Sequence, residues 1–287
     1  KDTLSLHVAL PICYEEIDAI NEELKATQSE LTSSNQQLRQ RIDAGRRIHL
    51  QLMGDKPSDL KELDLTAKYL PAEEIGGDFY DLIKLDDKFI FYLVDITGHG
   101  IDGAFLNVFV KEAINNFLMS KEQETDLSPQ EIMQHINHRF REEKFPEDYF
   151  ICLLLFIVDL DEYQVKYTNA GFQSPPLLVK NGSVKQLTTT ELPISLAISN
   201  SEYEFPEDSF HLEPTDVILT TTDGLIEEKS EGRLYGLERL INKLKLNYHS
   251  TPESIMEQII TDFQKFADQP QSDDITLLVL KRNNSKS

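Results

Sequence analysis

From residue 63 onward the apolar runs of this chain come in pairs joined by tight turns, and that order restricts the sheets it can build. Phe79–Leu85 and Lys88–Asp95 are extended runs that meet at Asp86-Asp87. Phe150–Val158 and Gln164–Asn169 form a second pair. Leu177–Lys180 and Ser183–Leu187 flank Asn181-Gly182, a dipeptide that tolerates φ > 0 at both central positions of a two-residue hairpin. Leu63–Leu70, Glu202–Leu212, Asp216–Thr222 and Ile275–Lys281 read as further strands. Ile101–Met119 is helical. Ser128-Pro129-Gln130-Glu131 opens a helix that ends near Glu143, with an N-cap, a first-turn proline and a capping-box acid. Gly236–Leu246 and Pro252–Ala267 are also helical. Parallel strands need a long crossover between neighbours, whereas hairpins join antiparallel ones. Helices that come in pairs between hairpins therefore predict an α+β fold: a layered sandwich of two antiparallel β-sheets flanked by helices.

Ahead of this domain, residues 14–53 are polar and free of proline. Ile17, Leu24, Leu31, Leu38 and Leu52 fall on one seven-residue series, with Gly45 in its gap. The companion series is mostly polar: Ile20, Thr27, Ser34, Arg41 and Ile48. A seven-residue apolar repeat predicts a coiled-coil linker helix that forms a homodimer. The alternative is one amphipathic helix docked on the domain. The polar second seam makes the coil marginal and open to a shift of register. Residues 54–59 (GDKPSD) break the helix. The compact domain is expected over 60–282, with a tail at 283–287. The chain opens on Lys1, and residues 1–13 are read as a fragment leader or non-native stretch and set aside.

Net charge is −22. No basic stripe accompanies it, which argues against nucleic acid as a partner. Solubility accounts for most of the excess, and part of it can hold divalent cations through carboxylate oxygens. The two cysteines, Cys13 and Cys152, form no disulfide framework and no zinc spacing. Cys152 sits inside Phe150–Val158 and reads as a small buried residue. No apolar run approaches the ~18 residues that span a bilayer, so a cytoplasmic protein without a membrane span is expected.

The chemistry is carried by four aspartate clusters at strand ends. These are Gly76-Gly77-Asp78, Asp95-Ile96-Thr97-Gly98-His99-Gly100, Asp223-Gly224 and Asp273-Asp274. An aspartate at the edge of a buried strand is poorly solvated, so its charge must be paired or its pKa rises. No lysine or arginine adjoins Asp78, Asp95 or Asp223. A shared pair of hard divalent cations would satisfy several such groups. The glycines let backbone oxygens and waters approach closely.

PAEEIGGDFYD, FYLVDITGHGIDGA, YTNAGFQSPPLL, TTTDGLIE, YGLERL and SDDITLLVL occur in this order. Over residues 60–282 the chain thereby resembles the type 2C (PPM) metal-dependent protein phosphatases, in their bacterial SpoIIE/RsbU-like branch. The resemblance implies a serine/threonine phosphoprotein phosphatase that uses two Mn²⁺ or Mg²⁺ ions and a dimetal-activated water. By it, Asp95 would bridge both metals and the Ile96 carbonyl would be a backbone ligand. Asp78 would hold the second metal, and Asp223 and Asp273 would complete the set. Gly77, Gly98, His99, Gly224 and Asp274 would shape the surrounding loops. Thr97 stands where eukaryotic relatives place a histidine acid, so His99 is not expected to inherit that role. Phe172 stands where the family commonly has histidine, and Leu192-Pro193-Ile194-Ser195 departs from its Leu-Pro-Leu-Gly. Both departures bear on substrate handling. The resemblance further implies a phosphorylated STAS-domain anti-anti-sigma factor as substrate and a sensor or receiver domain upstream. A non-catalytic, phosphatase-like signalling module controlled by its coil is the competing reading. Gly76-Gly77-Asp78-Phe79 also resembles the GGDEF signature of diguanylate cyclases, but lacks its second acid.

Overall fold

The computed structural model describes residues 2–96, 100–121, 126–187, 192–197, 203–267 and 271–284, with side chains from residue 17. Two compact units divide it at Arg47 and Ile48. The first is carried by helix α1 (Asp2–Leu52), whose last turns belong to the second unit. The helix begins well before residue 14 and passes through the segment set aside on sequence grounds. Ile17, Leu24, Leu31 and Leu38 are 52%, 61%, 60% and 55% exposed, leaving the seven-residue series free in this chain. Leu52 departs from that series, because it packs against the domain core.

The second unit contains two five-stranded sheets, every pairing antiparallel. One is ordered β2 (Phe79–Leu85), β3 (Lys88–Ile96), β4 (Ile151–Asp159), β5 (Gln164–Ala170), β8 (Glu207–His211). The other is ordered β1 (Leu63–Leu70), β12 (Ile275–Arg282), β9 (Val217–Thr221), β6 (Leu177–Lys180), β7 (Ser183–Gln186). The expected hairpins are present. Asn181 and Gly182 both take φ > 0, at 51° and 76°, as the two-residue turn requires. Helix α2 (Ile101–Ser120) and helix α3 (Pro129–Glu143) cover the first sheet, and α5 (Leu237–Asn247) and α6 (Pro252–Phe266) cover the second.

Three apolar layers follow from strand alternation. In β3, Ile90, Tyr92 and Val94 face α2 and α3, while Phe89, Phe91 and Leu93 face the opposite sheet. In β12, Leu278 and Leu280 turn to the sheet interface, and Leu277 and Val279 turn to α5 and α6. Both faces of these central strands are covered, so their sequences read as continuous apolar runs. The cap of α3 follows the sequence signal, Ser128 accepting from the Glu131 N–H, and α6 is capped likewise by Thr251, which accepts from the Ser254 N–H.

Three differences from the sequence expectation have local causes. The strand expected over 202–212 is confined to Glu207–His211, because Pro206 cannot donate to a ladder. Asp223-Gly224, read only as a strand-end cluster, opens a short helix α4 (Asp223–Glu227) with Thr222 at its N-cap position. A hairpin of β10 (Lys229–Ser230) and β11 (Arg233–Leu234), turning at Glu231-Gly232, escaped notice because two-residue strands have no readable period.

Phe156 marks the centre of the sandwich. Its ring stacks on Phe91 at 4.6 Å and on Tyr167 at 5.4 Å, fully buried. Phe156→Ala is expected to cost about 3–5 kcal/mol through the cavity it leaves, read as a lowered urea midpoint.

Candidate active site

Antiparallel pairing sets the start of one strand beside the end of its neighbour. Asp78 precedes β2, and Asp95 and Ile96 end β3, whose Val94 lies opposite Phe79. Asp223 follows β9 by way of Thr222, and Asp273 and Asp274 precede β12, whose Leu277 lies opposite Thr221. Each sheet thus delivers two acidic segments to one cavity of about 400 Å³, lined by Asp78, Asp95, Asp223, Asp273 and Asp274 with Ile96 between them. Gly77 also lines it. Gly98 and His99 lie outside the described residues.

Asp78 is buried and held by a pair of threonines that the sequence reading missed. The Thr222 hydroxyl donates to its Oδ2 at 2.7 Å and the Thr276 hydroxyl at 2.8 Å. Those threonines also bond each other: the Thr276 N–H donates to Thr222 Oγ1 at 2.9 Å, and the Thr222 N–H to the Thr276 carbonyl at 3.0 Å. The signal was available in the threonine run before Asp223. Strand-end hydroxyls beside an acid are natural donors to it.

Asp274 ties the glycine loop to the second sheet. Its Oδ1 accepts from the Ala72 N–H at 2.8 Å, and Oδ2 lies 3.5 Å from the Asp78 N and from Tyr69 Oη. A Cβ on Gly76 would sit 1.5 Å from this carboxylate, and one on Gly224 would sit 2.1 Å from the Asp274 carbonyl. The glycines are there because the acid occupies the space a side chain would need. Behind the loop, Asn107 on α2 donates to the Gly77 carbonyl at 3.0 Å and lies 3.3 Å from His49. Burial lowers the His49 pKa, favouring the neutral ring.

The electrostatics are those of crowded acids. Burial, then the neighbouring charge of Asp95, raises Asp78 well above the carboxylate range, opposed by its threonine donors. Burial, then Asp223, Asp273 and Asp274, pushes Asp95 up to about 7. Asp223 is raised by burial and by Asp273, and Asp274 by burial. No lysine or arginine is among the described lining residues. Cys152, opposite Asp95 in the β3–β4 register, lines the cavity and is less buried than expected. Burial and the adjacent acids push its thiol up to about 12, so it is a poor nucleophile.

The donor set is oxygen throughout, and an uncompensated cluster of buried carboxylates fits hard divalent cations. Among the described residues, no three His, Cys, Asp or Glu side chains close into a coordination shell. Asp78 is instead drawn to the threonines and Asp274 to the loop amides, as mutual repulsion favours.

Asp95 generates a pH prediction for the protein in chelator. Its folded pKa of about 7 lies above the ordinary value of 3.8, so the folded state binds more protons between those limits. Stability must then fall as pH rises from about 4 to 7, by at most about 4 kcal/mol from this group. Asp95→Asn should flatten that decline, measured by denaturant unfolding across the window.

Comparison with known proteins agrees with this architecture. Residues 85–283 match the family described as Stage II sporulation protein E (SpoIIE), so Asp78 lies just outside the matched span. Phosphoserine phosphatase RsbU of Bacillus subtilis (strain 168) is 24% identical over 254 residues, 88% of this chain and 73% of RsbU. The SiaA-PP2C domain of Pseudomonas aeruginosa superposes with a TM-score of 0.73 at 19% identity, covering 87% of this chain and 98% of that domain. The catalytic domain of the serine threonine protein phosphatase PstP, in complex with 2 manganese ions, superposes with a TM-score of 0.56 at 15% identity. That match covers 77% of this chain and 99% of PstP's. The chain therefore has the PP2C fold and belongs to the stage II sporulation protein E (SpoIIE) family of PP2C-type phosphatases.

Proposed function

We propose that this protein is a cytoplasmic, metal-dependent serine/threonine phosphoprotein phosphatase. The observation that carries the reading is the convergence of acids from two separate sheets on one cavity, with no lysine or arginine among its described lining residues. Asp78, Asp95, Asp223 and Asp273, with the Ile96 carbonyl, would hold two Mn²⁺ or Mg²⁺ ions. Such ions supply Lewis acidity toward water and toward the phosphoryl oxygens.

The chain's own residues do the positioning. Thr222 and Thr276 fix one oxygen of Asp78 and so aim the other oxygen of that carboxylate. Asp274 holds the glycine loop against the second sheet and keeps the cavity open. The apolar layers beneath the strand ends keep the acids from moving apart. The raised thiol of Cys152 favours direct attack of water over a cysteinyl intermediate.

For substrate we propose a phosphoserine on a STAS-type anti-anti-sigma regulator, supported by the likeness to RsbU. A homodimer through residues 14–53 is supported by the exposed leucines of α1. It gives an upstream sensor or receiver domain a lever to act on the catalytic unit.

Two measurements test this. Release of phosphate from a generic aryl phosphate with Mn²⁺ should fall by at least about 10³-fold in Asp95→Asn and Asp223→Asn. Manganese uptake by calorimetry should fall with it. A wild-type protein that takes up manganese and hydrolyses nothing would instead favour the non-catalytic module. Light scattering should show the full chain as a dimer and the Leu24→Asp/Leu31→Asp variant as a monomer. Equal masses would remove the coil from the account.

A further inference from the structure

We infer that Gln173 is the substrate-binding residue that grips the phosphoryl group, donating from Nε2 to one of its oxygens. This rests on the phosphatase reading above and adds to it the group that holds the substrate.

Every charged residue among the described lining of the cavity is an acid. A phosphate monoester entering it meets carboxylates on most sides, and its outward oxygens need donors. Among the described lining residues, Gln173 has the one side chain with N–H groups. Ser272 lines the cavity too, but its hydroxyl is spent on Glu228, 2.9 Å away. Gln173 is exposed at the rim, and its amide makes no hydrogen bond among the described residues. An amide at an acidic rim is better suited than a cation, which the same carboxylates would capture.

The backbone beneath Gln173 is fixed. The Phe172 N–H donates to Asn169 Oδ1 at 2.8 Å, and Asn169 Nδ2 donates to the Phe172 carbonyl at 3.0 Å. Gly171 turns with φ +73°, and any Cβ there would lie 2.7 Å from the Pro193 ring. The Phe172 side chain is buried in the layer between the sheets. With the residue at 172 turned inward, the next side chain is the one the loop presents to the cavity. This gives the phenylalanine at 172 a physical meaning: it anchors the loop and leaves contact with substrate to Gln173.

The test uses the full chain with Mn²⁺. Kinetics on p-nitrophenyl phosphate and calorimetric binding of inorganic phosphate are compared in wild type, Gln173→Ala and Gln173→Glu. A lost hydrogen bond to a charged oxygen corresponds to roughly tenfold or more. Gln173→Ala should therefore raise both KM and the phosphate Kd about tenfold, with manganese affinity and Tm unchanged. Gln173→Glu should raise both further through like-charge repulsion. Because residue 173 is exposed, neither change removes core packing. A merely structural role would move Tm or manganese affinity and leave phosphate binding in proportion to folded protein. A wild type that hydrolyses the ester, with KM and phosphate Kd unchanged in both variants, overturns the assignment of Gln173 alone. A wild type that neither hydrolyses the ester nor binds phosphate overturns the phosphatase reading and this inference with it.

Discussion

Mutual repulsion among the carboxylates at one end of the sandwich is the constraint around which the structure is arranged. Asp78, Asp95, Asp223 and Asp274 all have pKa values raised by burial, and neighbouring charge raises three of them further: Asp95 acts on Asp78, Asp223 on Asp95, and Asp273 on Asp223. Left to themselves, such groups would separate into water. They are held because each sits on, or one or two residues from, a strand whose register is set by apolar packing on both faces. Moving Asp95 outward would drag Val94 and Leu93 out of two different layers.

The clasp between Thr222 and Thr276 connects that packing to the chemistry. These threonines continue the β9–β12 ladder by one step while donating across to the other sheet at Asp78. One pair of side chains thereby links the two sheets at the cavity end of the sandwich. A hydroxyl has one proton to give, and both here are directed at the same carboxylate oxygen. The half-buried salt bridge of Asp81 with Lys111, reinforced by Tyr92 Oη at 3.2 Å, plays a related part at the joint of β2 and α2.

Much of this could be read from the chain. Hairpin turns are local, so Asn181-Gly182 and Asp86-Asp87 announced antiparallel pairs without knowledge of the fold. Alternation failed in β3 and β12, where helices cover the second face, but the length of each run still marked a central strand. The aspartates stood out because an acid beside an apolar run is costly unless something neutralises it. Thr222, Thr276 and Asn107 did not stand out. Their partners lie 30 to 198 residues away, and a threonine in a strand is ordinary until its neighbour across the sheet is known. The short helix at Asp223 was missed for a similar reason: five residues give no helical period to read, and the Asp274 carbonyl that lies against Gly224 comes from far along the chain.

The space taken from Gly76 by the Asp274 carboxylate has a practical use. Asparagine substitutions at the acids remove charge while keeping shape, so they leave the effect of shape alone untested. A single methyl group at residue 76 would displace the carboxylate and spread the glycine loop while keeping every formal charge. The chain thus contains a purely steric switch for its acidic cavity, set at a backbone position that carries no functional group of its own.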